Sequence, residues 1–428
     1  MSNKNITRRG FLGLAGATAA AGALAGCGGS GSNSGKTEIE VVTYKQEAVK
    51  TFEKLQDLFN ETHDDIHVTI TCPNDATTVL RTRFIREDYP DIIGIGGDVT
   101  FSNFVDAGIL ADVSNFDGLA KVKQSYIDTL EKLEFVPTDG TYGVPHSANA
   151  AGVLYNRAMF REHGWDIPTT WSEFTELCET IKAAGILPLY LGFKDTWTTL
   201  APWNALAIEL APSDVCQQVN AGKTTFAEHY REVAEKEYAL LQYAEDGPFA
   251  YGYNDACTAF ANGESAMYTI GSYAVPQIRS VNPDMDIDSF VMPAVENADD
   301  RILNSGVDLQ FCVTAGCQNK EAAYEVIRFL IEQDNLQTYV DEQNAVPCVE
   351  GDFELPDVLD GMREFIDEGR TADFQDHYYP SEMSVDAQIQ TFLIDGDVDK
   401  FLAKFDSDWT RYNRDIIQKV QDYYATQG

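Results

Sequence analysis

The segment 38–71 does most to restrict how this chain can fold. EIEVVTY (38–44) reads as a strand, Val49, Phe52, Leu55, Leu58 and Phe59 recur at helical spacing through 46–62, and 66–71 alternates Ile66, Val68 and Ile70 with His67, Thr69 and Thr71. Strand, helix and strand in that order bury their apolar faces together as a βαβ unit, which points to an α/β fold with a largely parallel sheet. A chain of 428 residues exceeds the ~250–300 at which a single core stops growing, so two lobes are expected.

The charge narrows the possible partners. With 31 basic against 68 acidic residues the net charge is −37, a field that repels phosphate backbones and anionic lipid headgroups. Nucleic-acid binding and adhesion through basic patches are therefore not expected. Residues 1–27 read as an address: Lys4, Arg8 and Arg9 precede an apolar Ala/Gly/Leu-rich run that closes with LAGC at Cys27. The run is too short for a membrane span, and its ending resembles a bacterial lipobox in which Cys27 is lipidated. TRRGFLG also resembles a twin-arginine signal. Cleavage there takes the charge from −37 to −40. GGSGSNSGK follows, so 28–37 is expected to be a flexible tether. Seven cysteines remain after Cys27, an odd number without a CxxC pair, which is a poor disulfide framework and a poor zinc site. Buried small hydrophobes is the plain reading, with room for one bridge.

Further along, Ile92, Ile93 and Ile95 form a short apolar strand, and Gly96-Gly97-Asp98 turns at its carboxyl end into a helix from about Thr100. Ligands in open α/β sheets sit at such ends, so Asp98 is either a ligand-facing carboxylate or a helix N-cap. GVPHSANAAGVLYN (143–156) passes from polar to apolar and is expected to cross between lobes, with His146 either structural or in contact with ligand. Thr170 and Glu173 form a capping box for a helix ending at Gly185. Trp197 and Trp203 fall close together and are either core or stacking residues. FVMPAV (290–295) reads as a second crossing strand, Asn319 starts a helix, and Tyr378 and Tyr379 in FQDHYYPSEM are candidates for exposed aromatics.

No GxSxG, HExxH, nucleotide-binding glycine motif or paired-cysteine site occurs, so neither catalytic residues nor a metal or cofactor are expected. A surface glycosidase stays open because carboxylates are plentiful. Loops at strand ends place aromatics beside short polar groups. This combination suits a sugar, whose C–H face packs on rings while its hydroxyls take directed hydrogen bonds. The candidate ligand set is Tyr44, Lys45, Asp98, Ser147, Asn149, Trp197, Trp203, Asn204, Tyr273, Asp308, Tyr378 and Tyr379. A peptide or phosphate-ester ligand would call for basic cleft residues, of which Lys45 alone is obvious.

The succession PDIIGIGGDVTF, YGVPHSANAAGVLYNRAMF, IPTTWSEF, FANGESAMYTIGSYA, FVMPAV, SGVDLQFCVTAGCQNKEAAYEVIRFL and AVPC resembles the carbohydrate-binding extracellular solute-binding proteins of ABC importers, the family containing maltose-binding protein. That resemblance implies a monomer of two α/β lobes closing on a sugar and docking on permease subunits, held by its lipid at the outer face of the bacterial membrane. It implies that Asp98 accepts from a sugar hydroxyl and that Asn149 lies near the ligand. Trp197 would sit in the aromatic loop of the second lobe, and Tyr273 would replace the tryptophan of a GPW-like turn. Ile95 stands where some relatives carry an aromatic, leaving first-lobe stacking to Tyr44. The lobes are expected at 38–148 plus 292–333 and at 149–291 plus 334–428.

Overall fold

The computed structural model describes residues 35–427, so the signal, Cys27 and most of the tether lie outside the described residues. Strand Thr37–Thr43 pairs in parallel with Ile66–Thr71, and helix Val49–Thr62 connects them by burying Phe52, Leu55 and Phe59. Leu58, expected on the same face, is exposed. The first sheet runs in the order Val346–Pro347, Val144–Ala148, Val307–Val313, Ile92–Ile95, Thr37–Thr43, Ile66–Thr71. Only the half built from the three earliest strands is parallel. Val307–Val313 returns from the other lobe and runs antiparallel to both neighbours.

The second sheet orders Leu187–Leu189, Ser265–Tyr268, Val153–Asn156, Ile287–Phe290. Both sheets are covered on two faces, so adjacent residues of one strand feed different cores. Val41 packs with Phe52 and Leu309 while Val42 packs with Leu80 and Phe104. Leu154 shares that second cluster, whereas Val153 and Tyr155 pack with Trp203 and Phe405. One apolar cluster therefore runs through both lobes, by way of Ala148, Ala150, Leu303 and Val307.

Three crossings join the lobes. In the first, Ala148 pairs with Val307 and Val346, and Val153 already pairs with Phe290. Between them Gly152 has no room for a side chain, since a Cβ would lie 2.5 Å from the Phe290 carbonyl oxygen. The second is Leu303–Asn304, paired with Thr371–Ala372. The third lies between Val349, bridged to Val122, and Val358, whose carbonyl accepts from the Ser289 hydroxyl at 2.6 Å.

These contacts move the expected boundaries. Met292 and Ala294 lie in the second core, and the amides of Ala294 and Ile302 donate to Glu209 at 2.8 and 2.9 Å. FVMPAV is thus no crossing strand: the strand is Ile287–Phe290, and first-lobe structure resumes after Asn304. Helix Gln333–Gln343 and strand Val346–Pro347 likewise stay on the first lobe, contrary to the placement of 334–428. The capping box shifts by one residue. Thr170 accepts from the Glu173 amide, but the Glu173 carboxylate reaches back to Thr169. Among the described residues all seven cysteines are free, no helix is long and apolar enough to cross a membrane, and no cluster of three potential metal ligands occurs.

Glu237, inside helix Arg231–Leu240, is fully buried with neither carboxylate oxygen hydrogen-bonded. Burial holds its pKa well above the ordinary carboxylate value. Folding then binds a proton that the unfolded chain releases above its ordinary pKa, so stability falls as pH rises through that window. Glu237→Gln removes this dependence, and thermal unfolding at pH 7 is expected to show a higher Tm with a flatter pH profile than the parent. An unchanged profile would place a compensating partner beside Glu237.

Candidate functional site

At the base of the groove between the lobes, Asp308 gathers three elements. Its carboxylate accepts from Asn149 Nδ2 at 3.0 Å and pairs with Lys45 Nζ at 2.6 Å. The Tyr44 hydroxyl donates to the Asp308 main-chain carbonyl and lies 3.2 Å from its carboxylate. Lys45 also pairs with Glu47 at 2.9 Å and sits 5.0 Å from the Tyr44 ring centroid. Burial opposes the Lys45 charge, but Asp308, Tyr44, Tyr339 and Glu47 together outweigh it and raise the pKa. The one basic residue expected in the cleft is thus committed to its own carboxylates and offers little to an anionic ligand.

Asp98 ends the strand Ile92–Ile95 and begins the helix Val99–Asp106. Oδ1 accepts from the Thr100 amide at 2.7 Å, so the N-cap reading holds, while Oδ2 makes no hydrogen bond among the described residues. Across the groove, Trp197 keeps 41% of its surface exposed, with ring centroids of Tyr253 and Tyr273 at 5.0 and 6.4 Å. Burial and then the Asp376 charge raise the Tyr273 pKa. Tyr253 was not expected in the set, though the Tyr-rich run before it was a signal.

Four expected ligand residues turn inward. Trp203 is fully buried among Tyr230, Phe401 and Phe405, and its Nε1–H donates to the Tyr379 hydroxyl at 3.1 Å. Tyr379, expected to be exposed, is buried and donates to the Tyr230 hydroxyl at 2.8 Å, which donates to Gln375 at 2.9 Å. Tyr378 is half-buried against both lobes' cores. Ser147 is fully buried next to His146, which is itself edge-on to Phe311 and Tyr339, so the structural reading of that histidine prevails. Asn204 is nearly buried too, but it aims Asp376: its Nδ2 donates to the carboxylate at 2.8 Å and its oxygen accepts the Asp376 amide at 3.0 Å.

That last contact leads to a group the sequence reading missed. His377 Nδ1 lies 2.7 Å from Asp373 Oδ1. Burial lowers the imidazole pKa, but Asp373, Asp376 and Asp98 together push it up to about 10. Burial raises the pKa of Asp373 and Asp376, with His377 countering it. The glycine at 306 makes room, because a Cβ there would stand 2.0 Å from Asp373 Oδ1 and 3.0 Å from His377 Cε1. Two aspartates and a histidine within five residues of a loop were legible, but their approach to Asp98 was not.

Two α/β lobes joined by three crossings, with polar groups on the first and the exposed Trp197 ring on the second, have the fold of two-lobe solute-binding proteins. The chain belongs to the bacterial extracellular solute-binding protein family, whose model matches residues 43–337. It is 29% identical over 358 residues to the multiple sugar-binding protein of Streptococcus mutans, covering 80% of this chain and 82% of that one. It is 22% identical over 308 residues to the melibiose/raffinose/stachyose-binding protein MelE of Bacillus subtilis, covering 67% of each. Among solved structures, apo RafE of Streptococcus pneumoniae superposes with a TM-score of 0.78 at 24% identity, over 91% of this chain and 99% of that one.

Buried His146 and half-buried His377 are expected to titrate in opposite senses. NMR of the imidazole nitrogens should find His377 still an imidazolium at pH 8, and His146, pushed down to about 3 by burial, still neutral at pH 4.5. The sign follows from linkage: His377 adds stability that is complete below ~6.5 and lost as pH rises through 10, whereas His146 withdraws stability as pH falls from ~6.5 toward 3. A His377 resonance that titrates near the ordinary value would show that the carboxylates do not act on it.

Proposed function

We propose that this chain captures a neutral oligosaccharide between its lobes and delivers it to the permease of an ABC importer, tethered to the outer face of the bacterial membrane through a lipid on Cys27. The observation that carries the reading is the aromatic group of exposed Trp197 with half-buried Tyr253 and Tyr273 on the second lobe, in a chain whose first lobe offers Asp98 Oδ2 and the Asp308 cluster. Stacking takes a sugar's C–H face and the carboxylates take its hydroxyls. The names of the relatives support the ligand class, since S. mutans and B. subtilis proteins are sugar-binding and RafE has been solved with raffinose. Commitment of Lys45 to Asp308 weighs against a phosphate ester. Capture without chemistry fits a family of binding proteins.

Calorimetry across neutral mono- and oligosaccharides, including melibiose, raffinose and stachyose, is expected to find micromolar or tighter binding to at least one. Chromatography of the recovered sugar should show it intact. Trp197→Ala should weaken that binding by about 1–3 kcal/mol. Heat only with peptides or phosphate esters, or release of shorter sugars, would overturn the proposal. For the anchor, Cys27→Ala is expected to release the protein from membranes into the medium.

A further inference from the structure

The cluster around His377 contains unused hydrogen-bonding capacity. An imidazolium has two N–H groups. Nδ1 is spent on Asp373, whereas Nε2 has no hydrogen-bond partner among the described residues and the side chain keeps 23% of its surface exposed. Two carboxylates whose charge acts on this ring each keep an oxygen without a hydrogen bond among the described residues. Asp376 uses Oδ1 for Asn204 and leaves Oδ2, and Asp98 uses Oδ1 for its helix cap and leaves Oδ2. Asp373, Asp376 and Asp98 are the charged groups that act on the ring, the first two from its own segment and the third from the opposite lobe.

The group is held firmly. Asp373 is buried, accepts the Phe374 amide at 2.9 Å and occupies the space left by Gly306. Residues 375–379 are tied to the second lobe by the hydrogen-bonded chain Trp203, Tyr379, Tyr230, Gln375 and by the Asn204–Asp376 pair. Asp98 instead moves with the first lobe. A sugar hydroxyl accepts one hydrogen bond and donates another, so a fixed donor between two acceptors suits a pair of neighbouring hydroxyls.

We propose that His377 contacts the ligand directly: its Nε2–H donates to a sugar hydroxyl while Asp376 and Asp98, from different lobes, accept from that hydroxyl and its neighbour, so that reading the diol requires the lobes to be closed. The proposal rests on the sugar reading above and adds the residue that selects among sugars. Three carboxylates against one cation make the same subsite unfavourable to uronates and sugar phosphates.

The test takes the neutral sugar that the parent protein binds most tightly in the panel above and compares His377→Phe, which keeps a ring but loses the donor, with His377→Gln, which keeps a donor without charge. Expected results are at least a tenfold loss of affinity for His377→Phe and partial recovery for His377→Gln. Parent affinity should be level from pH 6 to 8.5 and fall as pH approaches 10, and the fall should be absent in His377→Gln. A residue that only supported the loop would lower Tm without giving this pH profile. If the parent binds no sugar, the functional reading fails. If the parent binds sugar while both variants match its affinity and its pH profile, the functional reading stands and the His377 proposal is overturned. Should His377→Phe not fold, His377→Gln and the parent's pH profile decide.

Discussion

The Asp308 carboxylate fixes the geometry on which the rest of the cleft depends. It stands at the start of the strand that returns from the second lobe, and it takes hydrogen bonds or charge from Tyr44, Lys45 and Asn149. Those residues end the first strand and begin the first crossing, so one side chain ties three separate stretches of chain together. Pairing is essential at this depth, since a buried ion stripped of its partner costs about 3–5 kcal/mol. Lys45 is therefore explained by Asp308. With both charges satisfied internally, the floor of the groove is polar without being ionic toward solvent, and what faces a ligand is decided by Asp98, the second-lobe rings and the loop 373–377.

Features governed by local periodicity were legible in the sequence. Ile66–Thr71 and the Asp98 cap required only alternation and spacing to be read, and the two-lobe α/β architecture followed from length and the opening βαβ unit. Features decided by partners distant in sequence were not. Trp203 and Tyr379 look alike as aromatics near polar loops, yet they face each other across 176 positions and satisfy each other's polar atoms inside the second core. Residues 334–347 follow directly on the helix Lys320–Leu330, and only their pairing with Val144–Ala148 shows that they remain on the first lobe.

The same limit explains why the loop at 373–379 was half understood. Its two tyrosines drew attention because exposed rings bind sugars, whereas its aspartates and histidine carry no motif or spacing that singles them out. Burial reverses these roles. Tyr379 disappears into the core as a hydrogen-bonded strut, and the polar residues it supports are carried to the lobe boundary, where they meet Asp98. A strained or isolated polar group would stand out as an exception, but this cluster is nearly self-satisfied and leaves only single atoms free.

Closure must draw its free energy from the groove. Outside it, the lobes touch through Lys419 with Asp106, and through Gln217, whose Nε2 donates to the Lys132 carbonyl at 2.8 Å. Lys419 and Asp106 are each a third exposed, and a pair of that kind is worth about 0–1 kcal/mol. The apolar cluster that continues through Ala148, Ala150, Leu303 and Val307 lies at the crossings themselves, so rotation about them leaves it buried and adds little difference between open and closed. Moving such an equilibrium from mostly open to mostly closed takes about 5.5 kcal/mol of differential binding. A solute that touched only the Trp197 wall would bind both states alike and shift nothing. Closure therefore requires a solute that engages first-lobe groups as well, and an Asp98 contact of the kind proposed above would supply that difference.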